Sequence, residues 1–191
     1  MTDIADTTNL QPLLSKCIAG DEHAIETLVR QFETGVFRLA LSVVDDPMEA
    51  SEIAQETFLA ALKSLPSYRE KSSFKAWLFT ITLNLGRSRL RKHKRLERLR
   101  QALTGALLLE TRKIKSPEET VIESETDRLL WQALSRLDEK HRLPIVLRYF
   151  HELPIAEIAQ VMNVNEGTIH SRLHHARERL QAELKEPFAG E

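Results

Sequence analysis

Residues 153–180 read LPIAEIAQVMNVNEGTIHSRLHHARERL, and their pattern decides the fold: two short amphipathic helices joined by a tight corner. Pro154 stands where a starting helix has no use for an amide hydrogen, and Ile155, Ile158, Ala159 and Met162 follow at helical spacing. One face of this first helix is therefore apolar. Ala159 is small where two crossing helices must approach, and Asn163 tolerates the left-handed backbone of a corner. Asn165 can cap the second helix, leaving Ile169, Leu173, Ala176 and Leu180 as its inward stripe. Outward remain Thr168, His170, Ser171, Arg172, His174, His175 and Arg177. Short hydroxyls near the N-terminus with cations farther along suit a helix whose first turns meet base edges in the major groove of DNA. The competing reading is a helical hairpin with a solvated basic face. The coincidence of apolar spacing, small residue, corner and cap favours a helix-turn-helix. His170, His174 and His175, the first two one turn apart, also offer metal ligands, but no cysteine or carboxylate cluster completes such a site, so neither metal nor other cofactor is expected.

A chain of 191 residues, 42% of them hydrophobic, has room for one large or two small domains with real cores. Its 27 Lys and Arg against 28 Asp and Glu say nothing about nucleic acid, but their distribution does. Residues 87–100 hold eight Lys or Arg and one Glu, whereas 45–56 and 118–127 hold acids without Lys or Arg. A chain so polarised can face DNA with one part and a basic partner with another. The single cysteine, Cys17, excludes an internal disulfide and a cysteine-rich zinc site, and fits a reducing interior. With no apolar run of membrane-spanning length and no basic or apolar leader, a cytoplasmic protein without membrane insertion is expected. Six glycines, seven prolines and hardly any alternating apolar segment predict an all-α fold. No nucleophile with a base and orienting group occurs, and no phosphate-cradling glycine loop, so an enzyme is not expected.

Along the chain, residues 10–19 predict a short helix, broken by Gly20 and recapped by Asp21. Residues 21–44 carry Ile25, Leu28, Val29, Phe32, Val36, Phe37, Leu39, Ala40 and Val43 at helical period, as a helix pair or one long helix. Pro47 opens another to Ser64, with Ala50, Ile53, Ala54, Phe58, Ala61 and Leu62 on one side and Glu52, Gln55 and Glu56 on the other. Leu59 sits among these polar groups. An apolar anchor ringed by polar groups is what a protein partner can use, although a scattered exposed leucine is common. A polar loop at 68–73 leads to a helix whose predicted inward stripe is Phe74, Leu78, Ile81 and Leu85, opposite Thr80, Asn84, Arg87 and Arg91. That polar line, extended by the basic run 89–95, can grip a phosphate backbone and hydrogen-bond bases. Tyr68, Phe74, Trp77 and Phe79 could stack on unpaired bases, but Phe74 and Trp77 read better as core. Domain boundaries follow at 10–95 and 127–185, with a flexible linker at 96–126.

In combination the chain resembles a bacterial RNA polymerase sigma factor of the extracytoplasmic-function class of the sigma-70 family, from about Ile25 to Leu184. DPMEASEIAQETFLAAL resembles the family's core-polymerase-binding helix, and SSFKAWLFTITLNLGRSRLRK its segment for the promoter element nearer the start site. LDEKHRLPIVLRYFHELPIAEIAQVMNVNEGTIHSRLHHARERL resembles the segment for the distant element. The resemblance implies that Glu49, Glu52, Gln55, Glu56 and Leu59 face the polymerase, whose β′ and β subunits are the expected partners. It implies that Tyr68, Arg69, Lys71, Ser72 and Ser73 receive an extruded base, and that Thr80, Asn84, Arg87, Arg91 and Lys92 meet the downstream element as it opens. Thr168, His170, Ser171, Arg172, His174, His175 and Arg177 would read the upstream element as duplex. Glu52 stands where the family usually has aspartate, His170 where lysine is usual, and Asn163 replaces the usual turn glycine. By the same resemblance the protein acts as a monomer on polymerase and is restrained by an anti-sigma factor. The rival is an autonomous helix-turn-helix regulator, binding an operator as a dimer. Such a protein would not need the acidic helix or the basic one.

Overall fold

The computed structural model describes residues 10–69, 72–104 and 132–185, the side chains of 99–104 and 183–185 excepted. Its described residues form helices and turns, with no strand among them. The first helix, α1 (Gln11–Ile18), ends where Gly20 takes φ 83°, a conformation that costs glycine little. Asp21 then caps α2 (Glu22–Val44), its Oδ1 accepting from the Ala24 amide at 3.0 Å. Of the two possibilities for 21–44, the single long helix holds. It stops at Asp45, in the left-handed region, and Asp46 repeats the same device for α3 (Pro47–Ser64) by accepting from the Glu49 amide at 3.0 Å.

Helix α3 tightens into a single 3-10 turn at Leu65–Ser67, and the chain re-enters helix as α4 (Phe74–Thr104). The Ser73 hydroxyl accepts from the Ala76 amide at 3.2 Å and so starts α4. Helix α4 stays regular beyond Leu96, into the stretch read as a linker; residues 105–126 of that stretch lie outside the described residues. Helices α2, α3 and α4 pack around Val36, Leu39, Ile53, Leu78, Phe79 and Leu83, all fully buried. The inward face of α4 is broader than the predicted stripe. Phe74 and Leu78 are buried as expected, but Phe79, Thr82 and Leu83 complete the face, and Ile81 and Leu85 are only half-buried at its edge. The reason is that α4 touches α2 and α3 and also a helix of the C-terminal half, so more of its circumference is covered. At Gly86 a Cβ would come within 2.9 Å of Val43 Cγ1, and only glycine allows α2 and α4 this approach.

After a helical segment at 132–136, α5 (Glu139–Ile145) contains Pro144, which has no amide hydrogen to give back along the helix. Directly afterwards the helix widens into a π turn, Val146–Phe150. Then come α6 (Ile155–Met162) and α7 (Glu166–Lys185), the predicted helix-turn-helix. Pro144, Ile145, Val146 and Leu147 are buried, as are Ile158, Ile169, Leu173 and Ala176 of the helix-turn-helix.

Candidate nucleic-acid interface

The corner of the helix-turn-helix is built as its sequence predicts. Asn163 adopts φ 54° and ψ 53°, and its amide donates back to the end of α6. Asn165 Oδ1 accepts from the Thr168 amide at 2.8 Å and from its hydroxyl at 2.7 Å. Thr168 is thus a half-buried capping partner as well as a member of the outward face. Ile169, Leu173, Ala176 and Leu180 are all buried, which turns His170, Ser171, His174, His175 and Arg177 to the surface, with Arg172 half-exposed. Replacing Asn165 by alanine removes both bonds and is expected to cost about 1 kcal/mol of stability, read as a lower thermal midpoint, and to weaken duplex binding through α7. An unchanged midpoint would show that the cap contributes nothing.

One detail differs from the sequence reading. A carboxylate does stand beside the histidines: Glu178 lies 3.4 Å from His174 Nε2 and 3.2 Å from His175 Nδ1, the three donor sets falling within 4.8 Å of one another. All are exposed, and the spacing is that of ordinary ion pairs between neighbouring turns when the imidazoles are protonated. His170 is not part of this group.

On α3 the expected polar face is exposed, with Leu59 69% accessible in its midst. Met48, 78% accessible, extends this stripe, since positions 48, 52, 55 and 59 advance by helical steps. Sequence reasoning missed Met48, although its spacing from Leu59 was the available signal. The acids of this face are already engaged. Arg89, on α4, donates to Glu52 and to Glu56, both at 2.7 Å, and His93 Nδ1 lies 3.4 Å from Glu49. The bond to Glu52 and the charges of Glu56 and Glu49 raise the pKa of the Arg89 guanidinium above its ordinary value, against the opposing effect of burial. Arg89, read in sequence as part of the basic DNA track, therefore turns to α3. Gln55 stays exposed between the pairs.

Before α4 the Tyr68 hydroxyl donates to the Ser72 carbonyl at 2.8 Å, and the Tyr68 ring packs with Phe74 and Trp77 at 5.7 and 5.0 Å between centroids. Phe74 is core; Trp77 is half-buried. Arg69 bonds the Pro66 and Tyr68 carbonyls at 3.3 Å, and Lys71 lies outside the described residues. The Thr80 hydroxyl bonds back to the Ala76 carbonyl at 2.9 Å, while Asn84, Arg91 and Lys92 are exposed. Ser73 and Arg87, by contrast, are tied to the C-terminal half. The Ser73 hydroxyl donates to Glu157 at 2.7 Å and its amide to the same carboxylate at 3.2 Å; Arg87 Nε donates to Glu139 at 2.7 Å.

Family comparison settles the class of protein. The family model for sigma-70 region 2 matches residues 28–96, that for sigma-70 region 4 matches residues 127–180, and the two fall on the halves just described. The extracytoplasmic-function (ECF) sigma factor SigW of Bacillus subtilis (strain 168) is 30% identical over 172 residues, covering 87% of this chain and 92% of that protein. The chain belongs to the ECF class of the sigma-70 family. Two solved structures carry the same fold. The sigma factor RpoE in complex with the anti-sigma factor NepR from Bartonella quintana is 26% identical, covering 84% of this chain and 96% of that one with a TM-score of 0.68. CnrH in complex with the cytosolic domain of CnrY is 25% identical, covering 94% and 98%, with a TM-score of 0.64. An autonomous operator-binding dimer gives way to this membership: the protein is an ECF sigma factor, which binds core RNA polymerase, directs it to promoters and helps open the DNA. Among the described residues of this sigma factor no helix is long and apolar enough to cross a membrane.

Proposed function

We propose that this sigma factor divides its work among three surfaces. The stripe of α3 carrying Met48, Glu52, Gln55, Glu56 and Leu59, with Glu49 beside it, docks on the clamp of core polymerase. Asn84, Arg87, Arg91 and Lys92 on α4, with Thr80 and the loop at 68–73, capture the downstream element as it melts, and α7 reads the upstream element as duplex through Thr168, His170, Ser171, Arg172, His174, His175 and Arg177. The units would be 10–95 and 127–185, tethered by 96–126, so that polymerase makes the second DNA contact effectively intramolecular. The protein then needs no covalent chemistry of its own: binding to flipped, unstacked bases offsets the cost of strand opening. It works as a monomer on polymerase in the cytoplasm. An anti-sigma factor is its expected regulator, since the similar RpoE and CnrH were each solved with a protein partner, NepR and the cytosolic domain of CnrY.

The observation that supports this division best is the placement of Leu59, 69% exposed, on one helix, and of exposed Asn84 on the helix packed against it. Asn84→Ala tests it. The variant should reduce opening of duplex promoters about tenfold, the scale of one lost base contact, with co-elution on core polymerase unchanged. Unchanged opening, or an equal loss of co-elution on core polymerase, would contradict the role given to Asn84.

A further inference from the structure

The crossing of α3 and α4 carries a ladder of charge. On α3, Glu49, Glu52 and Glu56 follow one another at steps of three and four residues, so three like charges share one line of the helix, where neighbours at this spacing repel. On α4, Arg89 and His93 stand one turn apart and meet them. Arg89 Nη1 donates to Glu52 and Nη2 to Glu56, both at 2.7 Å, and His93 Nδ1 lies 3.4 Å from Glu49. One planar guanidinium thus spans two carboxylates of a second helix. Two residues of helix turn a side chain by about 200°, so Arg89 points away from the line of Asn84, Arg87 and Arg91. Thr82, two turns earlier and fully buried, marks the same side as Arg89. The Arg89 side chain is 21% exposed, whereas those of Glu52 and Glu56 are half exposed or more. Each carboxylate commits one oxygen to Arg89 and has a second with which to accept.

We infer that Arg89 is a positioning residue for the docking of α3 on polymerase: its fork fixes Glu52 and Glu56 beside Gln55 and Leu59, so that both carboxylates are set before the partner arrives. This role rests on the docking of α3 given above. An unrestrained glutamate samples many rotamers, and a partner that needs it in one of them must supply the ordering at the moment of binding. Arg89 supplies it in the unbound chain. The surface so arranged fits a partner with an apolar pocket for Leu59 flanked by cations. Two effects of Arg89 oppose each other: its charge weakens the pull of the acidic face on a basic partner, while its fork holds the acids in place. At physiological ionic strength the Debye length is about 8 Å, so a charge effect exerted through solvent is screened, and the short bonds of a largely covered guanidinium are screened much less. The ordering decides the sign. Removal of Arg89 therefore weakens docking although it makes the face more acidic.

The test titrates the full chain onto immobilised core polymerase at fixed salt and follows thermal melting in parallel. Arg89→Ala should lower the affinity about tenfold, the scale of two long side chains that must be ordered on binding instead of beforehand. Melting should shift little, since ion pairs with exposed carboxylates contribute little to stability. Arg89→Lys keeps the charge without the planar fork and should lose most of the same affinity. Arg30→Ala, which removes the same formal charge from an exposed pair with Glu26 on α2, should leave docking unchanged. In a chain already carrying Glu52→Ala with Glu56→Ala, adding Arg89→Ala should change nothing further, because no carboxylate remains to be positioned. Wild-type affinity in Arg89→Lys, or docking of Arg89→Ala as tight as wild type or tighter, would overturn the positioning role. So would a tenfold loss that persists in the chain lacking both glutamates, since Arg89 would then act through the fold or touch polymerase itself. Leu59→Asp separates this role from the docking of α3. If Leu59→Asp weakens docking while Arg89→Ala does not, α3 still faces polymerase and Arg89 has no positioning role. If neither change weakens docking, polymerase binds elsewhere and both roles fall.

Discussion

Leu59→Asp is expected to abolish co-elution with core polymerase while leaving the fold intact. Leu59 is 69% exposed on α3, far from any core position, so an aspartate there costs the isolated protein little. At a protein interface the same change removes an apolar anchor and introduces a charge that must be desolvated without a partner. A loss of about 2 kcal/mol or more corresponds to at least about 30-fold in affinity. The flanking acids sharpen the expectation, because Arg89 already pairs with Glu52 and Glu56, which leaves the apolar stripe of Leu59 and Met48 as the least compensated part of this surface. Unchanged thermal melting with lost co-elution is the predicted result. Retained co-elution would move the polymerase contact elsewhere.

The second large effect is structural. Leu173 is 5% exposed, on the inner stripe of α7, and Leu173→Ala is expected to cost about 2–5 kcal/mol through lost transfer energy and the cavity left behind. Against a typical domain stability of about 5–15 kcal/mol, that loosens or unfolds the helix-turn-helix. Duplex binding should disappear, whereas co-elution with polymerase through α3 should fall far less than for Leu59→Asp. Intact melting behaviour with lost DNA binding would mean instead that Leu173 touches the DNA.

The helix-turn-helix was legible because every signal in it is local. The αL corner at Asn163, the cap from Asn165 to Thr168 three residues away, and the stripe from Ile169 to Leu180 each depend on neighbours within a turn or a few turns of helix. The cap at Asp21 was readable for the same reason. The contacts that sequence could not supply are those between distant residues. Ser73 meets Glu157 across 84 positions, and Arg87 meets Glu139 across 52, so no periodicity connects them. The same blindness misplaced Arg89. In sequence it is one cation in a basic run; in the fold, the crossing of α3 and α4 hands it to Glu52 and Glu56. The inward stripe includes Ile81 and Leu85 for a related reason. A stripe drawn from one helix cannot show that α4 is covered from a third direction by α6.

Run-off transcription is the most direct measurement. Purified core polymerase, this protein and genomic DNA from the source organism should give discrete transcripts that appear only when the protein is added, with two shared sequence elements upstream of their starts. Transcripts that are the same with and without the protein, together with failure to co-elute with the core enzyme, would contradict promoter direction by this chain.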